Sequence, residues 1–208
     1  MAGTHRHVAK RTDILPHEVR IIAGRWRRTP LPVPDLPGLR PTPARVRETL
    51  FNWLGQDLSG WRCLDAFAGT GALGLEAASR DAAEVLLVER DPGLVRALAA
   101  LVRRLEGAAD VVRVQQGEAL AALRRHQGAG FDVVFLDPPF GDGEAEAESR
   151  FRDALGAARQ VVHGDGLIYL EAPRRWSDDE LARLGLLAHR RGQAGQVAFH
   201  LLRPLPPG

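Results

Sequence analysis

With 208 residues, 45% of them apolar and 26% charged, the chain has the length and balance of one globular domain with a full core. Its net charge of +2 hides an asymmetry: residues 1–50 hold ten Arg/Lys against four Asp/Glu, and residues 51–208 eighteen against twenty-two. A basic front on a mildly acidic body suits a nucleic-acid partner met from one side. The lone Cys63 excludes an internal disulfide and fits a reducing compartment. No leader-like start and no run near ~20 apolar residues is present, so a soluble cytoplasmic protein is expected.

In chain order, residues 1–18 are polar and aperiodic, and a disordered basic arm is expected there. Val19–Arg28 reads as a short strand, a glycine break and a basic turn, and the proline-rich stretch from Pro30 to Pro41 excludes helix and central strand. Together they predict a hairpin or extended arm on the edge of the body. Arg25, Trp26, Arg27 and Arg28 alternate cations with an aromatic, as surfaces that grip an RNA backbone do, although Trp26 could equally pin the arm to the core. Thr42 as N-cap and Pro43 at the first helical position predict a helix to Leu54, with Val46, Leu50, Trp53 and Leu54 on its apolar stripe. Arg45 and Arg47 fall off that stripe, free for phosphates; Arg40 precedes it. Residues 19–55 thus form an RNA-binding extension, and residues 56–208 the catalytic body.

From Trp61 the pattern alternates. Strands are expected at 62–67, 84–89, 110–115, 132–137 and 166–171, with helices near 72–80, 92–105, 118–126 and 146–162. Such alternation means a parallel sheet with helices on both faces. A short helix near 178–184 is followed by strands near 186–191 and 196–203, joined by a turn so short that they must be antiparallel. The fold expected is α/β and Rossmann-like: a seven-stranded, mostly parallel sheet with an antiparallel last strand.

Two stretches carry chemistry. In Asp65-Ala66-Phe67-Ala68-Gly69-Thr70-Gly71-Ala72-Leu73-Gly74 a strand runs into a glycine turn that opens a helix, and Glu89 ends the next strand. Glycines let the backbone approach a ligand, and a carboxylate at the next strand end takes ribose hydroxyls. That pattern serves NAD and S-adenosylmethionine alike. Asp65 favours the latter, since a carboxylate suits an ammonium and a sulfonium but repels a pyrophosphate. Phe67, Ala68, Thr70 and Arg90 flank the same ligand, and Glu118-Ala119 opens the helix after the third strand, where a group can reach the adenine amine.

The second stretch is Asp137-Pro138-Pro139-Phe140, at the end of the fourth strand. A nucleobase amine is a poor nucleophile because its lone pair is delocalised. Catalysis needs an acceptor for its N–H, supplied by Asp137 together with a carbonyl of the proline pair. Phe140 offers a face for stacking the base. Methyl transfer from a sulfonium requires no metal, and the histidines show no ligand-pair spacing.

With these residues assembled, the chain resembles the bacterial 16S rRNA guanine-N2 methyltransferases of the small-subunit type D family from about Val19 to Leu202. The resemblance rests on Ile21-Ile22-Ala23-Gly24-Arg25-Trp26-Arg27, Leu39-Arg40-Pro41-Thr42, Arg45–Leu54, the glycine turn, Asp137–Phe140 and Ala194–Ala198. It implies one methyl transfer from S-adenosylmethionine to N2 of guanine 966, in the rRNA's conventional numbering, in a 30S subunit or a late assembly intermediate, by a monomer. Glu118 departs from the Asn or Asp common at its place. Four other readings are weighed: an adenine-N6 DNA methyltransferase, a protein-glutamine methyltransferase, which usually has Asn in place of Asp137, a non-catalytic RNA-binding assembly factor, and an NAD dehydrogenase.

Overall fold

The computed structural model describes residues 18–34, 42–140 and 144–206. Residues 1–17, the expected basic arm, lie outside them, as does Arg40. Two short strands, β1 (Glu18–Arg20) and β2 (Pro30–Pro32), pair antiparallel as the expected hairpin, so Glu18 belongs to the hairpin rather than to the arm. Helix α1 (Ala44–Leu54) follows. The body runs β3 (Arg62–Asp65), α2 (Gly74–Ser79), β4 (Glu84–Glu89), α3 (Pro92–Arg104), α4 (Ala108–Val111), β5 (Val112–Gln116), α5 (Ala119–Arg125) and β6 (Phe131–Leu136). It ends with α6 (Glu144–Arg159), β7 (Val162–Ala172), α7 (Asp178–Ala182), β8 (Leu186–Ala194) and β9 (Val197–Pro204).

Seven strands form one sheet in the order β5-β4-β3-β6-β7-β9-β8. All neighbours pair parallel except β9, which runs against both β7 and β8. The chain winds outward from β3 to β5 and then returns to place β6 on the other side of β3. Strand order therefore reverses between β3 and β6, the point at which open α/β sheets bind ligands beyond their strand ends.

The period of two along each strand sorts the core into two layers. Cys63, Val85, Leu87, Val133, Phe135 and Tyr169 pack under the hairpin, α1, α2 and α3. Leu64, Leu86, Val88, Val134, Leu136, Ile168 and Leu170 pack with residues of α5, α6 and α7. Asp65, Asp137 and Glu171 continue the first series, so all three carboxylates stand on the side covered by α1.

The element α4 was not expected. Gly107, in the left-handed region at φ 70°, turns the chain into one more helical turn and delays β5 by two residues. The helix α1 also begins differently: its N-cap is Pro43, without a side-chain cap, and Thr42 lies outside it.

The hairpin is bound to the body through Glu76 on α2, which is fully buried. Its carboxylate accepts the backbone N–H of Ile22 (2.7 Å) and Ala23 (3.0 Å) and pairs with Arg80 (2.9 Å) and Arg47 (3.6 Å). Among the described residues no helix is long and apolar enough to cross a membrane.

Candidate active site

The glycine turn occupies the carboxyl end of β3. Gly69 and Gly71 sit at φ 53° and 80°, where a side chain is strained. A Cβ on Gly71 would lie 2.7 Å from a Leu98 methyl on α3, and one on Gly74 2.2 Å from a Leu87 methyl on β4, so glycine lets the turn pack closely on α3 and α2 closely on the sheet.

Carboxylates brace this turn. Asp65, buried, accepts the Gly74 N–H at 3.0 Å and that of Phe67. Burial pushes its pKa up to about 7; the two N–H donors oppose that rise and Glu89 adds to it. Glu89 accepts from Gly69 N–H (2.9 Å) and Asp91 N–H (2.8 Å), which fixes both the turn and the entry to α3, and its half-buried oxygens keep lone pairs for a further donor. Ala68 and Thr70 are buried, Phe67 half-buried and Arg90 exposed. Glu118 is the exposed N-cap of α5 and makes no capping bond, and Ala119 behind it is buried.

Across the switch point, Asp137 follows β6. Leu136 pairs with Leu170 on β7, and one step further along the two strands Asp137 and Glu171 come side by side. Glu171 is buried and accepts the Tyr169 hydroxyl at 2.9 Å. Burial raises the pKa of both carboxyls, and at Asp137 the neighbouring Glu171 and Asp65 push in the same direction, opposed by the Thr42 hydroxyl. Thr42 lies 3.4 Å from Asp137 and is itself buried. Thr42, expected as the helix cap, stands beside Asp137 instead. Glu171 and Tyr169 were not among the assigned site residues, although their spacing of two on one strand marks a shared face.

Pro138 is buried, and Pro139 offers its carbonyl to Arg150 at 2.8 Å. Phe140, 41% exposed, is the exposed large apolar side chain among the described residues, with its ring centroid 6.2 Å from that of Phe151. Phe140 thus presents an exposed ring three residues beyond Asp137, past the end of β6.

Two of the assigned RNA-binding residues are corrected by burial. Trp26 is buried and donates its indole N–H to the Glu106 carbonyl at 3.0 Å, so it pins the hairpin and offers no face to RNA. Arg47 is 1% exposed, with its guanidinium bound to the Thr42 carbonyl (3.2 Å), the Arg20 carbonyl (3.0 Å) and Glu76. The helix stripe turns far enough to bury Arg47 and Phe51 and leaves Trp53 half-buried. Arg25, Arg27, Arg28 and Arg45 are exposed; Arg25 also pairs with Asp81 at 2.6 Å and lies over the Trp26 ring. No group of three or more potential metal ligands occurs among the described residues.

These features can be compared with known proteins. The family model described as Conserved hypothetical protein 95 matches residues 19–203. The Ribosomal RNA small subunit methyltransferase D of Escherichia coli (strain K12) is 41% identical over 193 residues, covering 88% of this chain and 89% of the relative. The chain belongs to the small-subunit rRNA methyltransferase D family. A relative of the same name in Haemophilus influenzae is 38% identical over 83% of this chain and 92% of its own length. The solved structure of Escherichia coli yhhF superposes with a TM-score of 0.72 at 35% identity, covering 90% of this chain and 98% of that one. The sheet is therefore that of a Rossmann-like methyltransferase.

The residues at the glycine turn fit the methyl donor of such enzymes, S-adenosylmethionine. They combine backbone open to close approach at Gly69 and Gly71, a buried carboxylate at Asp65 for an ammonium, and spare acceptor capacity on Glu89 for ribose hydroxyls.

Proposed function

We propose that this methyltransferase transfers one methyl group from S-adenosylmethionine to the exocyclic N2 of a guanine in 16S rRNA, position 966 in conventional numbering. Its substrate is the 30S subunit or a late assembly intermediate, and it works in the cytoplasm as a monomer without a metal. The observation that carries this reading is the pairing of Asp137 with the exposed ring of Phe140 across the switch point from the glycine turn.

Bound S-adenosylmethionine supplies an electrophilic sulfonium methyl. Asp65 would hold its ammonium, Glu89 its ribose and Glu118 its adenine amine. Phe140 stacks the target guanine, which must leave its helix stack to enter. Asp137 accepts one N2–H, and a backbone carbonyl of the proline pair accepts the other. This pair of acceptors turns the nitrogen lone pair toward the methyl carbon. Formation of the C–N bond, with the S–CH3 electron pair left on sulfur as a neutral thioether, would make N2 cationic, and Asp137 takes the proton it releases. Arg25, Arg27, Arg28 and Arg45 grip phosphates.

Labelled S-adenosylmethionine, offered with unmodified 30S subunits, naked 16S rRNA or duplex DNA, tests the reading when the products are resolved as nucleosides by mass spectrometry. N2-methylguanosine from the 30S sample is expected. N6-methyladenine from DNA would replace it with a DNA methyltransferase, and no label anywhere would leave an assembly factor. Asp137→Ala should lose about 10²-fold or more in turnover and keep its cofactor affinity by calorimetry.

A further inference from the structure

The buried threonine at the entry to α1 touches the group assigned to proton removal. Its hydroxyl lies 3.4 Å from Asp137 Oδ2 and also contacts the Glu171 carboxylate, whose Oε1 already takes the Tyr169 hydroxyl. A hydroxyl has one proton to donate and two lone pairs with which to accept. Set between two carboxyls, it satisfies both only when one of them carries a proton: it accepts from the protonated one and donates to the ionised one. Two carboxylates on neighbouring strands, ~5 Å apart, also repel strongly when both are charged, so together they hold one proton.

We propose that Thr42 is a positioning residue of the active site: its hydroxyl bridges Asp137 and Glu171 into a pair that shares one proton, and directs the remaining charge onto Asp137 when the acceptor N–H arrives. The inference rests on the reading of Asp137 as the N–H acceptor. With the proton on Glu171, the hydrogen bonds run Glu171 to Thr42 to Asp137, and Asp137 is the ionised member that can receive the guanine N–H. With the proton on Asp137, the same three groups are bonded in the opposite sense and the site is silent.

The groups facing the pair are Asp65 from β3, Tyr169 on β7 and Thr42 ahead of α1. Arg47 points its charge at Glu76 and gives Thr42 only a hydrogen bond to the backbone carbonyl, at 3.2 Å. That bond holds the residue in place without neutralising either carboxylate. At 3.4 Å the contact of Thr42 with Asp137 is long for a hydroxyl on a carboxylate, and catalytic hydrogen bonds commonly shorten when substrate binds.

The test uses the full chain, single-turnover methyl transfer to unmodified 30S subunits, and a pH series from 5.5 to 9. Thr42→Val keeps the volume and loses the hydroxyl; Thr42→Ser keeps the hydroxyl. Thr42→Val is expected to lower turnover about tenfold with RNA and cofactor KM within twofold. Its acidic limb should move up by about one pH unit, the worth of one hydrogen bond to a charged group. Thr42→Ser should restore both. Glu171→Gln supplies a permanent neutral donor to Thr42 and removes the neighbouring charge, so its acidic limb should move down, whatever its effect on the plateau rate. Limbs moving in opposite directions for two neighbours are not produced by loosened packing.

Wild-type turnover and pH profile in Thr42→Val would overturn the inference, as would a Thr42→Ser variant as impaired as the valine. A Glu171→Gln limb that stays or rises would do the same. Calorimetric binding of S-adenosylmethionine shows that each variant is folded. An active Asp137→Asn control sinks the reading of Asp137 and the inference with it; an inactive control with a normal Thr42→Val sinks the inference alone.

Discussion

At the scale of single residues, the site is built from carboxyls whose charge is costly until a ligand arrives. Asp65, with a pKa of about 7 caused chiefly by burial, is largely protonated at pH 6 and must ionise to pair with an ammonium. If Asp65 holds the ammonium of S-adenosylmethionine as proposed, cofactor binding releases a proton below that pKa and affinity rises with pH. The apparent affinity for S-adenosylmethionine should increase about five- to tenfold between pH 6 and 7.5, as measured by titration calorimetry in buffers of different ionisation enthalpy. Asp65→Asn should bind weakly at both pH values with little slope between them. A wild-type affinity that is flat across this range would move the ammonium away from Asp65. The sign for stability is opposite to that of ordinary paired carboxylates. A carboxyl whose folded pKa is raised destabilises the ligand-free fold as pH climbs from its unfolded value, near 4, to its folded one. Binding of a cation offsets that cost, so function and stability compete at Asp65.

At the scale of elements, the hairpin and α1 are not an appendage on the catalytic body. Glu76 takes two hairpin N–H groups and two arginines, and Trp26 is sunk into the same core layer. Gly24 closes the joint: at φ 81°, a Cβ there would stand 1.8 Å from the Ser79 carbonyl oxygen. Removing the carboxylate with Glu76→Ala leaves Arg47 and Arg80 buried without their counter-ion. Stability should fall by about 3–5 kcal/mol, visible as a lower urea midpoint, and an unchanged midpoint would mean that the arginines re-pair or reach water. The elements themselves were legible from periodicity and punctuation: β4 and the start of α3 fall where alternation and Asp91-Pro92 place them. The reversal of the last strand followed from a loop too short for a crossover. What sequence could not show was which polar residues the tertiary fold would bury. Arg47 and Trp26 look like RNA-gripping residues in a basic segment, and only their long-range partners, Glu76 and the Glu106 carbonyl, reveal a structural use. Thr42 met every local criterion for a helix cap, yet its hydroxyl donates to a carboxylate 95 residues away. The α4 turn was missed because Gly107 reads equally well as a loop residue. Within the candidate site, Asp65, Glu89 and Asp137 were legible because each ends a strand beside a turn of unusual composition. Glu171 also ends its strand at the ligand edge, whereas Tyr169 becomes a site residue only through its hydrogen bond to Glu171.

At the scale of the whole molecule, the charge asymmetry is left with fewer hands than the sequence counts. Among the described residues of the extension, Arg20, Arg25, Arg27, Arg28 and Arg45 reach solvent; Arg20 also donates to the Arg28 carbonyl, and Arg25 is partly spoken for by Asp81. Glu148 and Glu180, by contrast, join Arg152 and Arg174 in a network over Trp176, which keeps those cations from a polyanion. If the hairpin turn is the phosphate grip, then Arg27→Glu/Arg28→Glu should weaken binding to unmodified 30S subunits without changing affinity for S-adenosylmethionine. Each phosphate contact contributes about 0.7–0.9 to the slope of log affinity against log salt. The double variant should therefore flatten that slope by roughly 1.5, and its deficit against wild type should narrow as salt rises. Filter binding between 50 and 300 mM KCl reads both quantities. Lost affinity with the wild-type slope would indicate a hairpin disturbed rather than discharged. An unchanged affinity would move the RNA surface toward Arg45 and the mouth of the site, where Phe140 stands exposed.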